Sequence, residues 1–572
     1  MPCWGERSLD VLLAGWFCLS IVVTGRWLTC RWKLPAAVRW PAAVVAGMAG
    51  YAAVVLLLGQ VGWLHWQILA GLSLLPGAWS LPSMLRSWRR LLTAVAGVDT
   101  SLLLPWLFCL LLHGVLLLHA EIHYDNLIGY LEVPKQYLLQ HAMAPLSHNM
   151  SSRLSPVLHA WYACALALQE PYRTLPFRFG DGGVVHALHL WAFVFLPFLL
   201  SCLVRLVPCQ VSSAAAVGRY AALLFMTLPG TLVWSYLSYA DIMAITPALA
   251  GLALLPAARE HAVAGWLSGM GAGLMLMAKY QTAPLVLLLG IASWLIAGRA
   301  AAVRWLAGCM LAVLPVLPHA VRCLAGGEVI RGVLAENEVL AGAASDYAAG
   351  LWRMLTRPEA GALLLLPLLW PRSCWRSPLC WLAIVMLLLA PLLTPQAHHA
   401  LRWNMLPILL VILLAGIGMD HRRWHRMVFA VWLTLTLVPA VTLVDALRME
   451  RLLLPRTELL EISLPGFAMR RELVKRPGRA FCPDGYYGYY GTEAMVVPSV
   501  LDRQYITGML AGTPADVLFR LRRAGFARLL SQQEGIVLEI APAPGGDTAT
   551  VHALAVMLPA LRNCRMRIDD QR

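Results

Sequence analysis

The chain has 572 residues, of which 59% are hydrophobic and only 13% charged, with a formal net charge of +15 and a mean hydropathy of +0.67. A soluble protein of this size carries about 25% charged residues, so most of this chain belongs in lipid. The basic excess sits in short loops between apolar runs, which argues against nucleic acid as a partner and for topology signals and anionic headgroups.

Apolar runs of roughly 17–25 residues match the thickness of a bilayer. About fourteen runs approach that length, some of them short: 9–25, 38–58, 63–82, 101–119, 183–206, 217–235, 240–256, 263–278, 282–298, 303–320, 361–371, 378–394, 404–419 and 427–446. The weakest are 240–256 and 361–371. The first run is followed by Arg26, Arg31 and Lys33 rather than a small-residue cleavage site, so it reads as a retained helix and not a signal peptide. Basic residues recur at Arg39, at Arg86, Arg89 and Arg90, at Arg205 and Arg219, at Arg299 and Arg304, at Arg372 and Arg376, and in HRRWHR at 421–426. If each run crosses once, all of these loops share one face, the cytoplasmic one. Both chain ends and the long loops 120–182 and 321–360 then lie outside.

The fold class expected is an α-helical polytopic membrane protein with about 12–14 spans, amphipathic external loop helices and a small external C-terminal α/β domain. Residues 1–100 hold three helices without obvious chemistry, 101–446 the remaining helices and both long loops, and 447–572 the water-soluble unit. In that unit, TPADVLFRLRRAGFARLLS offers Thr513 as N-cap, Pro514 at the first helical position and Asp516 in a capping-box pattern. Gly525 ends the helix and FARLLS reads as a strand, as does RAFCPDG. Thirteen cysteines show no disulfide or metal spacing. A bridge between Cys482 and Cys564 is left open.

The loop at 120–182 is the informative one. Leu127, Leu131, Pro134 and Leu138 recur at near-helical spacing, so 126–140 reads as an interfacial helix with one apolar side. Ser155 and Pro156 begin a second, short helix that is apolar nearly all round, and so is either interfacial or buried against the bundle. Asp125 follows the run 101–119 closely, where a carboxylate is wet enough to ionise and near enough to lipid to meet a membrane-borne substrate. A base there can take a proton from an attacking hydroxyl. Glu121 and Glu132 compete for that role, and Glu132 can instead pair with Lys135. Asp241, at the external junction of two apolar runs, is either functional or a helix N-cap.

Cations expected on the same face are Arg153, Lys279 in the turn after MLMA, and Arg402 at the mouth of a later run. Arg offers bidentate donors and Lys a compact charge, both suited to phosphate; the alternative for each is snorkelling to headgroups. Tyr130, His148 and His399 complete the residues that could line a cavity. His398, His399 and His148 could bind a metal, but no HExxH or carboxylate–histidine spacing supports one. No metal ligand is assigned, and a divalent cation is left open.

The stretch YDNLIGYLEVPKQYLLQHAMAP after an apolar helix resembles the first external loop of GT-C glycosyltransferases, the polytopic enzymes that use polyprenyl-phosphate sugars and include the aminoarabinose transferase and protein mannosyltransferase groups. RLSPVLHAWYACAL at 153–166, GWLSGMGAGLMLMAKYQTAP at 265–284, TPQAHHALRWNMLPILL and PADVLFRLRRAGFARLL resemble later segments of that family in the same order, over roughly residues 101–535. The chain departs from the family in flanking Asp125 with Tyr124 and Asn126 rather than a second acid, in the spacing Arg153-Leu-Ser-Pro156, and in the three preceding helices.

The resemblance implies that Asp125 activates or orients the acceptor hydroxyl and that Asp241 is a second cavity acid. Arg153, Lys279 and Arg402 would hold the donor phosphate. The implied reaction is inverting transfer of a sugar from a polyprenyl-phosphate donor to an acceptor glycan, lipid or protein, at the external face of a bacterial inner (plasma) membrane, with the C-terminal domain outside the cytoplasm. The competing class is a transporter or flippase for a lipid-linked or small solute. No inverted repeat favours it, and the long external loops speak against it.

Overall fold

The computed structural model describes residues 4–96, 100–116, 126–146, 149–153, 155–172, 179–208, 211, 213–228, 231, 241–325, 366–393, 405–420, 456–463, 478–483, 495–496, 503–531, 536–540 and 547–570. Most of them are helical. The helical body contains α1 (Trp4–Thr29), α2 (Ala36–Gln60), α3 (Trp66–Ala96), α4 (Thr100–Leu116), α5 (Glu132–Gln140), α6 (Pro156–Gln169), α7 (Gly183–Leu203) and α8 (Ala214–Met226). It continues through α9 (Asp241–Leu252), α10 (Ala262–Ala278), α11 (Ala283–Ala297), α12 (Arg299–Val313), α13 (Leu317–Ala325), α14 (Pro378–Leu393) and α15 (Met405–Asp420).

Among the described residues, five segments are long and apolar enough to cross a membrane: Arg7–Thr29, Ala36–Gln60, Gly183–Leu206, Tyr280–Ala297 and Arg299–Cys323. This build is compatible with a helical membrane protein. It falls short of the fourteen runs read from hydropathy, because several runs hold shorter helices. Run 217–235 stops as a helix at Met226, ahead of Pro229, and run 240–256 stops at Leu252, ahead of Pro256. Run 427–446 lies outside the described residues.

Close packing comes from small residues. Gly265, Gly269 and Gly273 recur every fourth residue along one side of α10 and press against Ala301, Trp305 and Cys309 of α12, so these two helices run parallel. Gly271, on another side, meets the Pro247 carbonyl of α9, and Gly251 of α9 meets the Ser268 carbonyl, so α9 and α10 run antiparallel. A Cβ at Gly251 would stand 2.7 Å from that carbonyl oxygen, which only glycine avoids. Small residues at every fourth position are the usual route to such backbone approach between apolar helices.

Contacts at the helix termini sort the body into two ends. At one, Arg7 of α1 bonds Asp181 just before α7, Gly59 near the end of α2 accepts from the Met143 N–H, and Gln60 donates to the Pro315 carbonyl after α12. Lys279 after α10 meets Asp241 at the start of α9 there. At the other end lie the connections α1–α2, α7–α8, α9–α10 and α11–α12, with Arg26, Arg31, Lys33, Arg39, Arg205, Arg219, Arg259, Arg299 and Arg304. Arg259 donates to the Ile296 carbonyl across two of these connections, and Ser377, beside Arg376, donates to Leu206. Trp27, Trp32, Trp294, Trp375 and Trp381 stand exposed near the same arginines, the placement expected at a membrane–water boundary.

The C-terminal unit has its own core, in which Phe481, Ile506, Val517, Leu521, Phe526, Leu529 and Leu558 are buried. Its sheet has the order β2-β1-β3-β4, with β1 (Arg479–Phe481), β2 (Met495–Val496), β3 (Phe526–Ser531) and β4 (Ile536–Glu539). β1 is parallel to β2 and β3, and β3 pairs antiparallel with β4, Leu529 facing Leu538. The helix Pro514–Arg523 carries the expected capping box, with the Thr513 hydroxyl accepting from the Asp516 N–H and the Asp516 carboxylate from the Thr513 N–H. Gly525 follows with φ of +78°. Cys482 is a buried free thiol, and the side chain of Cys564 lies outside the described residues.

Candidate functional site

The antiparallel glycine contact between α9 and α10 brings the start of one helix beside the end of the other. Asp241 occupies the first turn of α9 and Lys279 follows the last residue of α10; their side chains form an ion pair, each residue only 3% exposed. Each charge also complements its own helix, because a helix N-terminus favours a carboxylate and a C-terminus an ammonium. The backbone around Lys279 is fixed. Its N–H closes α10 onto the Met275 carbonyl at 2.9 Å, and its carbonyl accepts from the Thr282 hydroxyl at 2.7 Å. Lys279 therefore does not snorkel to headgroups. The Tyr280 hydroxyl, one residue on, is buried and without a hydrogen-bond partner among the described residues.

A half-open groove lies in the wall formed by α1, α2, α7 and α9. Ile21, Val44, Met48, Leu188, Phe195 and Met243 line it, with Thr246 as its polar side chain. Met243 follows Asp241 by two residues, about 3 Å along the helix axis. The helix that carries Asp241 thus also lends Met243 and Thr246 to an apolar trough.

The first long loop differs from the amphipathic helix expected over 126–140. A π-helical turn covers Asn126–Tyr130, and α5 covers Glu132–Gln140. Every residue of α5 from Glu132 to Leu138 is buried, not only one side. The polar residues are tolerated because they satisfy one another at helical spacing: Lys135 Nζ stands 3.3 Å from Glu132 Oε2, and Gln136 Nε2 donates to Glu132 Oε1 at 2.7 Å. Glu132 thus has the pairing alternative and is committed to its own helix. Tyr130 is half-buried at the end of the π turn.

Arg153, half-buried, ends a short 3-10 turn at Met150–Arg153. The Ser152 carbonyl of that turn accepts from the Tyr137 hydroxyl at 2.8 Å and from His319 Nε2 of α13 at 3.0 Å. Burial pushes the Tyr137 hydroxyl far above its usual range, so it remains a donor. Ser155 and Pro156 begin α6, whose fourteen residues are all buried, which settles its placement against the bundle. There, burial pushes His159 down to about 3, leaving a neutral ring. α6 packs on α5 and on α10.

Of the residues singled out in the sequence, the structure thus joins Asp241 with Lys279 and Glu132 with Lys135. Asp125, Glu121, His148, His398, His399 and Arg402 lie outside the described residues. Among the described residues no group of three His, Cys, Asp or Glu side chains could hold a metal ion. Sequence reading missed Gln136 and Tyr280. The first was legible from its four-residue spacing to Glu132; nothing local marks the second. No protein-family model, no curated protein and no solved structure matches this chain.

Proposed function

We propose that the chain is a membrane glycosyltransferase of the GT-C kind, built on about 12–14 spans, which moves a sugar from a polyprenyl-phosphate donor to an acceptor hydroxyl at the end of the body opposite its arginine loops. The observation that carries this reading is the buried Lys279–Asp241 pair, held by the same helix that lines an apolar groove with Met243 and Thr246. A lipid-linked sugar phosphate has that same polarity, a long apolar tail ending in a diphosphate-like or phosphate anion. Lys279 supplies a compact positive charge suited to a phosphate, with Asp241 as its counter-ion.

In the step proposed, the acceptor oxygen attacks the anomeric carbon as its proton passes to the Asp125 carboxylate. The new C–O bond forms as the bond from that carbon to the phosphate oxygen breaks, and the electron pair leaves on the polyprenyl phosphate. Lys279, with Arg153 and Arg402, meets the charge that develops there. Asp125 is the catalytic base, and Asp241 holds Lys279 in place. The membrane supplied is a bacterial plasma membrane, and the acceptor is a glycan, lipid or protein.

The test is to purify wild-type protein and Asp125→Asn in mild detergent and identify co-purifying lipids by mass spectrometry. A polyprenyl-phosphate sugar enriched on the variant is the expected result. Absence of any polyprenyl lipid from both proteins removes the donor assignment. Equal retention of the intact lipid-linked sugar by both favours a flippase, which the same groove and ion pair would serve.

A further inference from the structure

The segment FGDGG at 179–183 closes the first long loop in a backbone that side chains rarely adopt. Phe179, Gly180 and Gly182 have φ of +65°, +64° and +77°, and such strained runs persist where their surroundings over-determine them. Each glycine is required by a different neighbour. A Cβ at Gly180 would stand 2.7 Å from the Gln169 amide, one at Gly182 would stand 2.9 Å from the Leu131 side chain, and one at Gly183 would collide with Asp10 and Arg7.

At the centre is Asp181, fully buried. Its Oδ1 accepts from Gln169 Nε2 at 3.0 Å and from the Gly183 N–H at 3.2 Å. Its Oδ2 accepts from Arg7 Nη2 at 2.9 Å. The other arm of the same guanidinium, Nη1, donates to Asp10 Oδ2 at 3.2 Å, and Asp10 Oδ1 accepts from the Tyr172 hydroxyl at 2.6 Å. Arg7, Asp10 and Asp181 are each at most 3% exposed. One arginine of the first helix thus bridges two buried carboxylates, one on its own helix and one 174 positions along the chain.

The cluster also reaches the opening of the loop. Leu131, which Gly182 touches, directly follows the π turn Asn126–Tyr130 and caps α5, and that turn begins one residue after Asp125. We infer that Arg7, Asp10 and Asp181 form a latch through which α1 positions both ends of the first long loop, the closing turn at 179–183 directly and the opening turn at 126–131 through the Gly182–Leu131 contact. This gives the first helix a role as the positioning element of the loop. The inference rests on the proposed function only in taking that loop to carry the reaction.

The measurement is hydrogen–deuterium exchange on the full chain in detergent, following peptides over 126–140 and 179–190 with α10–α12 as internal reference. In Arg7→Met, exchange should rise about tenfold or more in both loop peptides and stay unchanged in the reference. Arg7→Lys should fall between, since an ammonium cannot span two carboxylates as a guanidinium fork does. The triple variant Arg7→Met, Asp10→Asn, Asp181→Asn, which removes the charge of all three residues together, should recover most of the protection. A rise confined to 179–190 removes the link to the opening turn, and a rise in the reference as well reduces the cluster to general stability. If Arg7→Met does not fold, Tyr172→Phe should give a smaller rise in the same two peptides, and no rise there overturns the latch. Exchange needs no turnover, so the latch stands or falls separately from the donor assignment.

Discussion

The two ends of the helical body use charged residues in opposite ways. At one end Arg26, Arg31, Lys33, Arg39, Arg205, Arg259, Arg299, Arg372 and Arg376 are exposed. At the other, Arg7, Asp10, Glu132, Lys135, Asp181, Asp241 and Lys279 are buried and bonded to one another. Exposed charge of one sign sets orientation at little energetic cost. Buried charge of both signs must be matched atom for atom, and it is kept where it shapes a polar site in apolar surroundings. The contrast separates the two ends by burial rather than by residue type.

Four substitutions would break or sharpen that contrast, each read as a change in thermal unfolding in the same detergent. Lys279→Met leaves the Asp241 carboxylate buried without its ammonium and should cost about 3–5 kcal/mol. Adding Asp241→Asn should return most of it, which a simple packing defect at Lys279 would not allow. Glu132→Gln keeps the shape of α5 but takes the ionic partner from Lys135, and should cost about 1.5–3 kcal/mol. Arg205→Gln at the arginine end should change stability by no more than about 0.5 kcal/mol. If Lys279→Met proves as mild as Arg205→Gln, the two ends are energetically alike and the distinction fails.

Local chemistry was legible in the sequence and long-range pairing was not. The capping box at Thr513 and Asp516, the strand FARLLS and the turn at Lys279 formed as read, because each is set by residues within a few positions. The Glu132–Lys135 alternative was visible at helical spacing. The burial of α5 was not, since the spacing of Leu127, Leu131, Pro134 and Leu138 suggests one apolar side and gives no sign that the polar residues neutralise one another. Asp241 and Lys279 lie 38 positions apart, and only the glycine contact between α9 and α10 brings them together. That contact is made by Gly271 and Gly251, whereas the four-residue spacing at Gly265, Gly269 and Gly273 was a legible signal for the packing of α10 on α12 instead. For Arg7 and Asp181 no local pattern exists, because α1 and α7 first meet in the folded chain.

Glycine contact on two sides of α10 has a mechanical consequence. With backbone pressed against α12 on one side and α9 on the other, the helix has no side-chain layer to slide or roll upon, since packed interiors deform in discrete steps rather than smoothly. It is a close-fitted spar with Lys279 at its tip. Relative movement near that tip is left to the neighbours outside these two backbone contacts, such as α2 and α6.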